Sequence, residues 1–299
     1  MNLKSLPITL TTALLGLSLP YAQAEEVTLQ HNGVTLNANL QMADDSTLAD
    51  GTVLITHGTL AHNGMDIITT LQELLADEGK NSLAINLSLG LSERHGMYDC
   101  SVEHTHKHED AVSEIGQWVN WLKQKGSDSI VLMGHSRGGN QTAMFADEVS
   151  DPAVKAQVLI APQTWSAEYE AKGYETRYSQ PLAPLIEKAE ELQDKGGQQW
   201  LTKTGFIYCN DSKVIPSAFL SYYTPNDKFD TPTLLQSAKL PTLVFYGTED
   251  DVVADLNEKM AHVSNDKVTT VGIDGSDHFF QDLYADEVIE RTLEFFDSL

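Results

Sequence analysis

Gly134-His135-Ser136-Arg137-Gly138 fits G-x-S-x-G and stands between two segments of different periodicity. Ser129-Ile130-Val131-Leu132-Met133, just before it, is a short apolar run of the kind that forms a buried strand. After it, Gly139 to Ala146 has helical composition and spacing. A strand that turns at once into a helix leaves no room for Cβ atoms beside the turn, which accounts for glycine on both sides of the serine. The first N–H groups of such a helix lack partners within it and favour negative charge. A serine hydroxyl at the tip of this turn, beside an anion-stabilising helix start, is placed to act as a nucleophile.

A nucleophilic serine needs a base, and the base needs an orienting acid. Leu243-Val244-Phe245-Tyr246 reads as a strand that ends in Gly247-Thr248-Glu249-Asp250-Asp251. Lys267 to Ile273 reads as another, leading into Asp274-Gly275-Ser276-Asp277-His278-Phe279-Phe280 and a final helix at about 282–298. Both loops leave strand ends, so they fall on the same sheet edge as the serine.

Four separated motifs therefore agree in type and order: His57-Gly58 after the strand Thr52 to Thr56, the serine turn, Gly247 to Asp250, and His278 before two phenylalanines. On these motifs the chain resembles the α/β-hydrolase superfamily. The resemblance implies an α/β-hydrolase fold, with a mainly parallel central sheet, helices on both faces and a cap insertion. It makes Ser136 the nucleophile, His278 the general base and acid, and Asp250 the orienting carboxylate. Asp251 is an alternative for the last role, and Asp277 and Asp274 are weaker ones. It also assigns the oxyanion hole to the main-chain N–H groups of Thr59 and Arg137, or to Leu60 if the loop runs one residue later. Leu60, His135 and Trp165 are candidates for the substrate pocket.

Alternating strands and helices support the same architecture independently. Val27 to Leu40 reads as a hairpin about Asn32-Gly33. Helices are expected over 64–77 and 109–125, with strands over 81–87 and 156–161. The rhythm breaks between Pro162 and Lys239, where aromatics and prolines accumulate. The expected division is a core of 25–162 and 240–299 with a cap over 163–239. Most of the cap aromatics are expected to form a small core of its own.

Met1 to Ala24 has one positive charge at Lys4, an apolar run over Leu6 to Leu19, and Ala22-Gln23-Ala24 at its end. This is the pattern of a signal peptide, so residues 1–24 are expected to be removed and the protein to be periplasmic or secreted. No other stretch is long and apolar enough to span a bilayer, so no stable membrane insertion is expected. In an oxidising compartment Cys100 and Cys209 are expected to pair. The formal net charge of -24, from 43 acidic against 19 basic residues, opposes nucleic acid and anionic lipid as partners.

The loop between 92 and 110 carries His95, His104, His106 and His108 among several carboxylates. It reads as a polar loop near the pocket mouth, with a weak or regulatory metal as the alternative. No catalytic metal or cofactor is needed, because the serine chemistry is complete without one. The expected activity is hydrolysis of a small-molecule ester or acyl substrate through an acyl-enzyme, carboxylesterase-like or lysophospholipase-like. The alternatives are an aminopeptidase or amidase, using a cap carboxylate such as Glu168, Glu170 or Glu175, and a non-catalytic binding protein on this fold.

Overall fold

A computed structural model describes residues 24–299. The leader expected at 1–24 lies outside the described residues, apart from Ala24. Strands β1 (Glu25–His31) and β2 (Val34–Gln41) form an antiparallel hairpin, with positive φ at both Asn32 and Gly33. That is the backbone a two-residue hairpin turn requires. There follow β3 (Thr52–Thr56), α1 (Asp66–Asp77), β4 (Asn81–Asn86), α2 (Asp110–Gln124), β5 (Ile130–His135), α3 (Arg137–Glu148) and β6 (Val154–Ile160). A long excursion then contains α4 (Ala167–Tyr178), α5 (Ala183–Asp194), β7 (Leu201–Phe206), β8 (Cys209–Val214), α6 (Pro216–Tyr223) and α7 (Thr231–Leu235). The chain returns through β9 (Thr242–Gly247), α8 (Leu256–Met260), β10 (Val268–Ile273) and α9 (Leu283–Asp297).

Eight strands form one sheet in the order β1-β2-β4-β3-β5-β6-β9-β10, parallel from β4 onward. The N-terminal hairpin supplies the antiparallel edge. β3 pairs with β4 on one side and β5 on the other, so the connections leaving β3 and β5 diverge. Such a switch point opens a crevice beyond the carboxyl ends of the strands. The loops that follow β3, β5, β9 and β10 all reach this edge.

Side chains alternate across the sheet as the strand period demands. Val53, Ile55, Ala84 and Met133 join a cluster with Ile68, Leu71 and Leu75 of α1 and Val288 and Ile289 of α9. Leu54, Leu83, Ile85 and Leu132 join the opposite cluster, with Ile115, Trp118 and Leu122 of α2 and Phe145 of α3. The sheet is thus buried on both faces.

A third apolar cluster belongs mostly to the excursion: Tyr174, Phe206, Phe219, Tyr222 and Tyr223 bury one another, and Leu60 and Tyr98 reach it from the sheet edge. Tyr169 and Tyr208 stay exposed, while Trp165 packs with the main cluster. Near the end of the excursion, Phe229, Leu234 and Leu235 also pack into the main cluster. Two ties bind this unit to the loop after β4. Cys100 and Cys209 are disulfide-bonded, 109 residues apart in sequence. His104 also exchanges main-chain bonds with β8, its N–H donating to the Lys213 carbonyl at 2.8 Å and its carbonyl accepting from Ile215 at 3.0 Å.

Candidate active site

Ser136 lies between β5 and α3 with φ 57 and ψ -125, a conformation that costs a non-glycine residue about 1–3 kcal/mol. Its neighbours hold it there. The Ser136 N–H donates to the Ile160 carbonyl at 2.9 Å, and its carbonyl accepts from Gly139 and Gln163, both at 3.0 Å. A Cβ at Gly138 would fall 2.2 Å from the His57 carbonyl oxygen, so only glycine lets α3 approach the loop after β3.

The Ser136 hydroxyl lies 2.9 Å from Nε2 of His278, and Nδ1 of His278 lies 2.8 Å from Oδ2 of Asp250. The other oxygen of Asp250 accepts from the N–H groups of Val252 and Val253, at 2.8 and 3.0 Å. Burial opposes the Asp250 charge, but the His278 bond and the two amides outweigh it and hold the carboxyl below its usual range. With Asp250 as acceptor, Nδ1 of His278 carries the proton and Nε2 is free to accept one from Ser136. Asp251 is exposed, Asp277 accepts from the Phe279 N–H, and Asp274 lies beside Thr248. A Cβ at Gly247 would fall 2.3 Å from the Ser276 carbonyl oxygen, so glycine at the end of β9 lets the Asp250 and His278 loops close together.

His135, a pocket candidate from the sequence, is buried instead beside His278, their ring centres 4.9 Å apart. Burial and the neighbouring His278 push it down to about 3, so it is neutral and its Nε2–H donates to the His278 carbonyl at 2.9 Å. It supports the relay from behind. Leu60 is buried where the third cluster meets the sheet edge, and Trp165 lies against Phe229.

Arg137 opens α3, so its main-chain N–H belongs to the first turn, whose amides have no intrahelical acceptor. Thr59 follows Gly58, and a Cβ built on Gly58 would come within 3.2 Å of the Ser136 Cβ. The two residues expected at the oxyanion hole therefore flank the serine from two loops. Their side chains also meet, Nε of Arg137 donating to Oγ1 of Thr59 at 3.0 Å.

The loop is braced by His57, whose side chain has no assigned role in the sequence reading. Its Nδ1–H donates to the Gly58 carbonyl at 2.9 Å, and its Nε2 accepts from the Leu87 N–H at 3.0 Å, with Nη2 of Arg94 3.1 Å away. Burial, with the Arg94 charge second, pushes His57 down to about 3 and keeps it neutral. Arg94 is itself buried, and it donates to the carbonyls of Leu87, Gly96 and Ala61 and to Oδ1 of Asn86. Nothing in the local sequence marks Arg94.

The histidine-rich loop differs from its expected form as a polar loop at the pocket mouth. His95 does pair at the surface with Glu26, but His104, His106 and His108 are buried beneath the excursion. Burial pushes them down to about 4, about 3 and about 3, so they act as neutral polar aromatics. Nδ1 of His106 meets the Tyr222 hydroxyl at 2.9 Å. His108 links Nε2 to Oδ1 of Asn140 at 3.1 Å and Nδ1 to Nη1 of Arg137 at 3.3 Å. Among the described residues no three His, Cys, Asp or Glu side chains are grouped to hold a metal ion. Nor does any described helix have the length and apolarity to cross a membrane.

The sheet, its two helical faces and the crevice edge define a three-layer α/β protein whose candidate site is a Ser–His–Asp relay. The alpha/beta hydrolase family model matches residues 53–291, and the chain belongs to that family. Among solved structures, the chain is similar to Est1E from Butyrivibrio proteoclasticus with ferulic acid bound. That pair has 19% identity and a TM-score of 0.66, over 91% of this chain and 99% of that one. It is also similar to the Pyrococcus furiosus esterase Pf2001, at 20% identity and a TM-score of 0.59, over 92% and 90%. The alpha/beta hydrolase GrgF from Penicillium sp. sh18 is a third, at 14% identity and a TM-score of 0.66, over 91% and 97%. At these identities the likeness is one of fold. No curated protein matches the sequence.

Proposed function

We propose that this chain is an exported serine hydrolase that cleaves carboxylic esters through an acyl-enzyme. The observation that carries the reading is the continuous relay from Ser136 through His278 to Asp250, at 2.9 and 2.8 Å. His278 takes the proton of Ser136 as its oxygen attacks the ester carbonyl. The N–H groups of Thr59 and Arg137 receive the oxyanion, each such donor contributing about 3 kcal/mol to the transition state. His278 then protonates the departing alcohol. A water molecule, activated by the same imidazole, releases the acid and restores the serine. Asp250 holds the imidazole tautomer and stabilises its charged form.

Residues 163–239 form the cap in this reading, with Leu60 and Trp165 at the border between cap and core. Export rests on the leader pattern of Met1 to Ala24 and on the Cys100–Cys209 bridge. An amidase or aminopeptidase that reads a substrate ammonium is less well supported. Glu170 is the half-buried cap carboxylate for it, but the Arg137 cation next to the nucleophile opposes an ammonium.

The test is turnover of 4-nitrophenyl esters of increasing acyl length beside aminoacyl arylamides, with Ser136→Ala as control. Ester cleavage that disappears in the variant is expected. Cleavage of arylamides alone would replace this reading with the peptidase one.

A further inference from the structure

Arg137 sits one residue beyond the proposed nucleophile and is half-buried. Its guanidinium is held entirely by neutral groups. Nε donates to Oγ1 of Thr59 at 3.0 Å, and Nη1 donates to Nδ1 of His108 at 3.3 Å. The plane lies 5.4 Å from the Tyr222 ring centre, on α6 of the excursion. This cradle is built with some care for orientation. Nδ2 of Asn140 donates to the Lys228 carbonyl and to Oγ1 of Thr231, at 2.9 and 3.1 Å, so its Oδ1 must face His108. His108 therefore carries its proton on Nε2, and Nδ1 is left as an acceptor for Arg137.

The surprising part is what is missing from this cradle. The chain has 43 acidic residues against 19 basic ones, yet among the described residues no carboxylate comes within 4.0 Å of the Arg137 guanidinium. Glu170 of α4 interacts with its charge only from beyond that range. Among the described residues two of its five N–H donors are used, and Nη2 bonds to none of their atoms. Nη2 is not sealed from solvent. A fixed guanidinium beside a nucleophile, with N–H groups unspent and no carboxylate paired to it, is a receptor for an anion.

We propose that Arg137 is a specificity-determining residue, and that the preferred substrate is an ester that also carries a free carboxylate. This rests on the ester-hydrolase reading of Ser136. The second carboxylate pairs with the unspent N–H groups of Arg137 and is untouched by the reaction. Only the ester is hydrolysed, so the products are an alcohol and an acid, one of which bears the extra charge.

Two matched pairs of probes show which side of the ester carries it. Mono-(4-nitrophenyl) adipate and its methyl ester place the charge on the acyl side. 4-Acetoxybenzoate and its methyl ester place it on the leaving group. For at least one pair, kcat/KM is expected to favour the acid at least tenfold over its methyl ester. That ratio should collapse to unity or below in Arg137→Gln and return in part in Arg137→Lys. A ratio shared by both pairs of probes and unchanged in Arg137→Gln overturns the proposal. Calorimetric titration of adipate into the full chain needs no turnover and separates the two readings. If no ester is cleaved but adipate binding is lost in Arg137→Gln, the ester reading fails and the carboxylate site stands. Acid-to-ester ratios unchanged in Arg137→Gln, with adipate binding equal in both proteins or absent from both, remove the site.

Discussion

Nη2 of Arg94 donates to the Ala61 carbonyl, in the loop after β3, at 2.7 Å and lies 3.1 Å from Nε2 of His57, with both side chains buried. Through this bond a residue with no part in the chemistry reaches the loop proposed for the oxyanion. Because Nε2 of His57 accepts, Nδ1 must donate, and its partner is the Gly58 carbonyl. That carbonyl is thereby turned toward the imidazole, and the N–H of the same trans peptide, which belongs to Thr59, points the other way.

Arg94→Met should therefore disturb both stability and rate. It leaves the carbonyls of Leu87, Gly96 and Ala61 without their buried donor, at a cost of about 3 kcal/mol or more. A urea melt measures this directly. In the same variant kcat should fall more than KM rises, since an oxyanion donor acts in the transition state. A stability loss with kcat unchanged would reduce Arg94 to a purely structural role.

Asp250→Asn tests which acid serves His278. The amide cannot accept from Nδ1–H in the same manner, so the imidazole turns to the wrong tautomer and kcat should drop by roughly four orders of magnitude. Asp251→Asn, at an exposed position one residue away, should change kcat by less than about threefold. Steady-state ester hydrolysis by the two variants decides between the acids, and a reversed order would transfer the role to Asp251.

The bridge between Cys100 and Cys209 closes a span of 109 residues, long enough that the chain-entropy contribution is near its upper range. Cys209→Ser should lower stability by about 2–4 kcal/mol, seen as a lower urea midpoint. A reducing agent should shift the native protein toward the variant and leave the variant itself unchanged. If both melts coincide without reductant, the bridge does not restrain the excursion.

Acid should unfold this protein early. His57, His106, His108 and His135 are pushed down to about 3 by burial, and His104 to about 4. A histidine of this kind binds its proton first in the unfolded chain, so its contribution is complete above pH 6.5 and shrinks as pH falls below it. At pH 5 each one about 3 in the fold favours unfolding by about 2 kcal/mol relative to neutral pH. Glu114, pushed up to about 7 by burial, acts in the opposite sense, as do Asp110 and Glu170. The histidines outnumber them, and circular dichroism should show loss of structure well above pH 3. Full structure at pH 3.5 would contradict the burial of these rings.

Much of the fold was legible in sequence because its signals are local. The Asn32-Gly33 turn, the apolar runs of β3, β5 and β9, and the helical stripes of α1 and α2 depend on neighbours a few residues away. Ser136 and His278 were legible for the same reason, each sitting in a short motif at a strand end. The excursion was harder: a break in rhythm announces it, but the hairpin of β7 and β8 has no clean alternation to reveal it. What only the tertiary structure decided are relations between distant residues of similar local appearance. Asp250 and Asp251 are chemically identical neighbours, and only the path of the loop brings the first within 2.8 Å of His278. His104, His106 and His108 look like solvated loop histidines until Phe206 of β7 and Tyr222 of α6 pack over them. Arg94 becomes a buried brace, and Arg137 a cation with unspent N–H groups, only through partners that the chain returns from far along its length. Periodicity records which side of an element is buried, but not which polar atom will be waiting there.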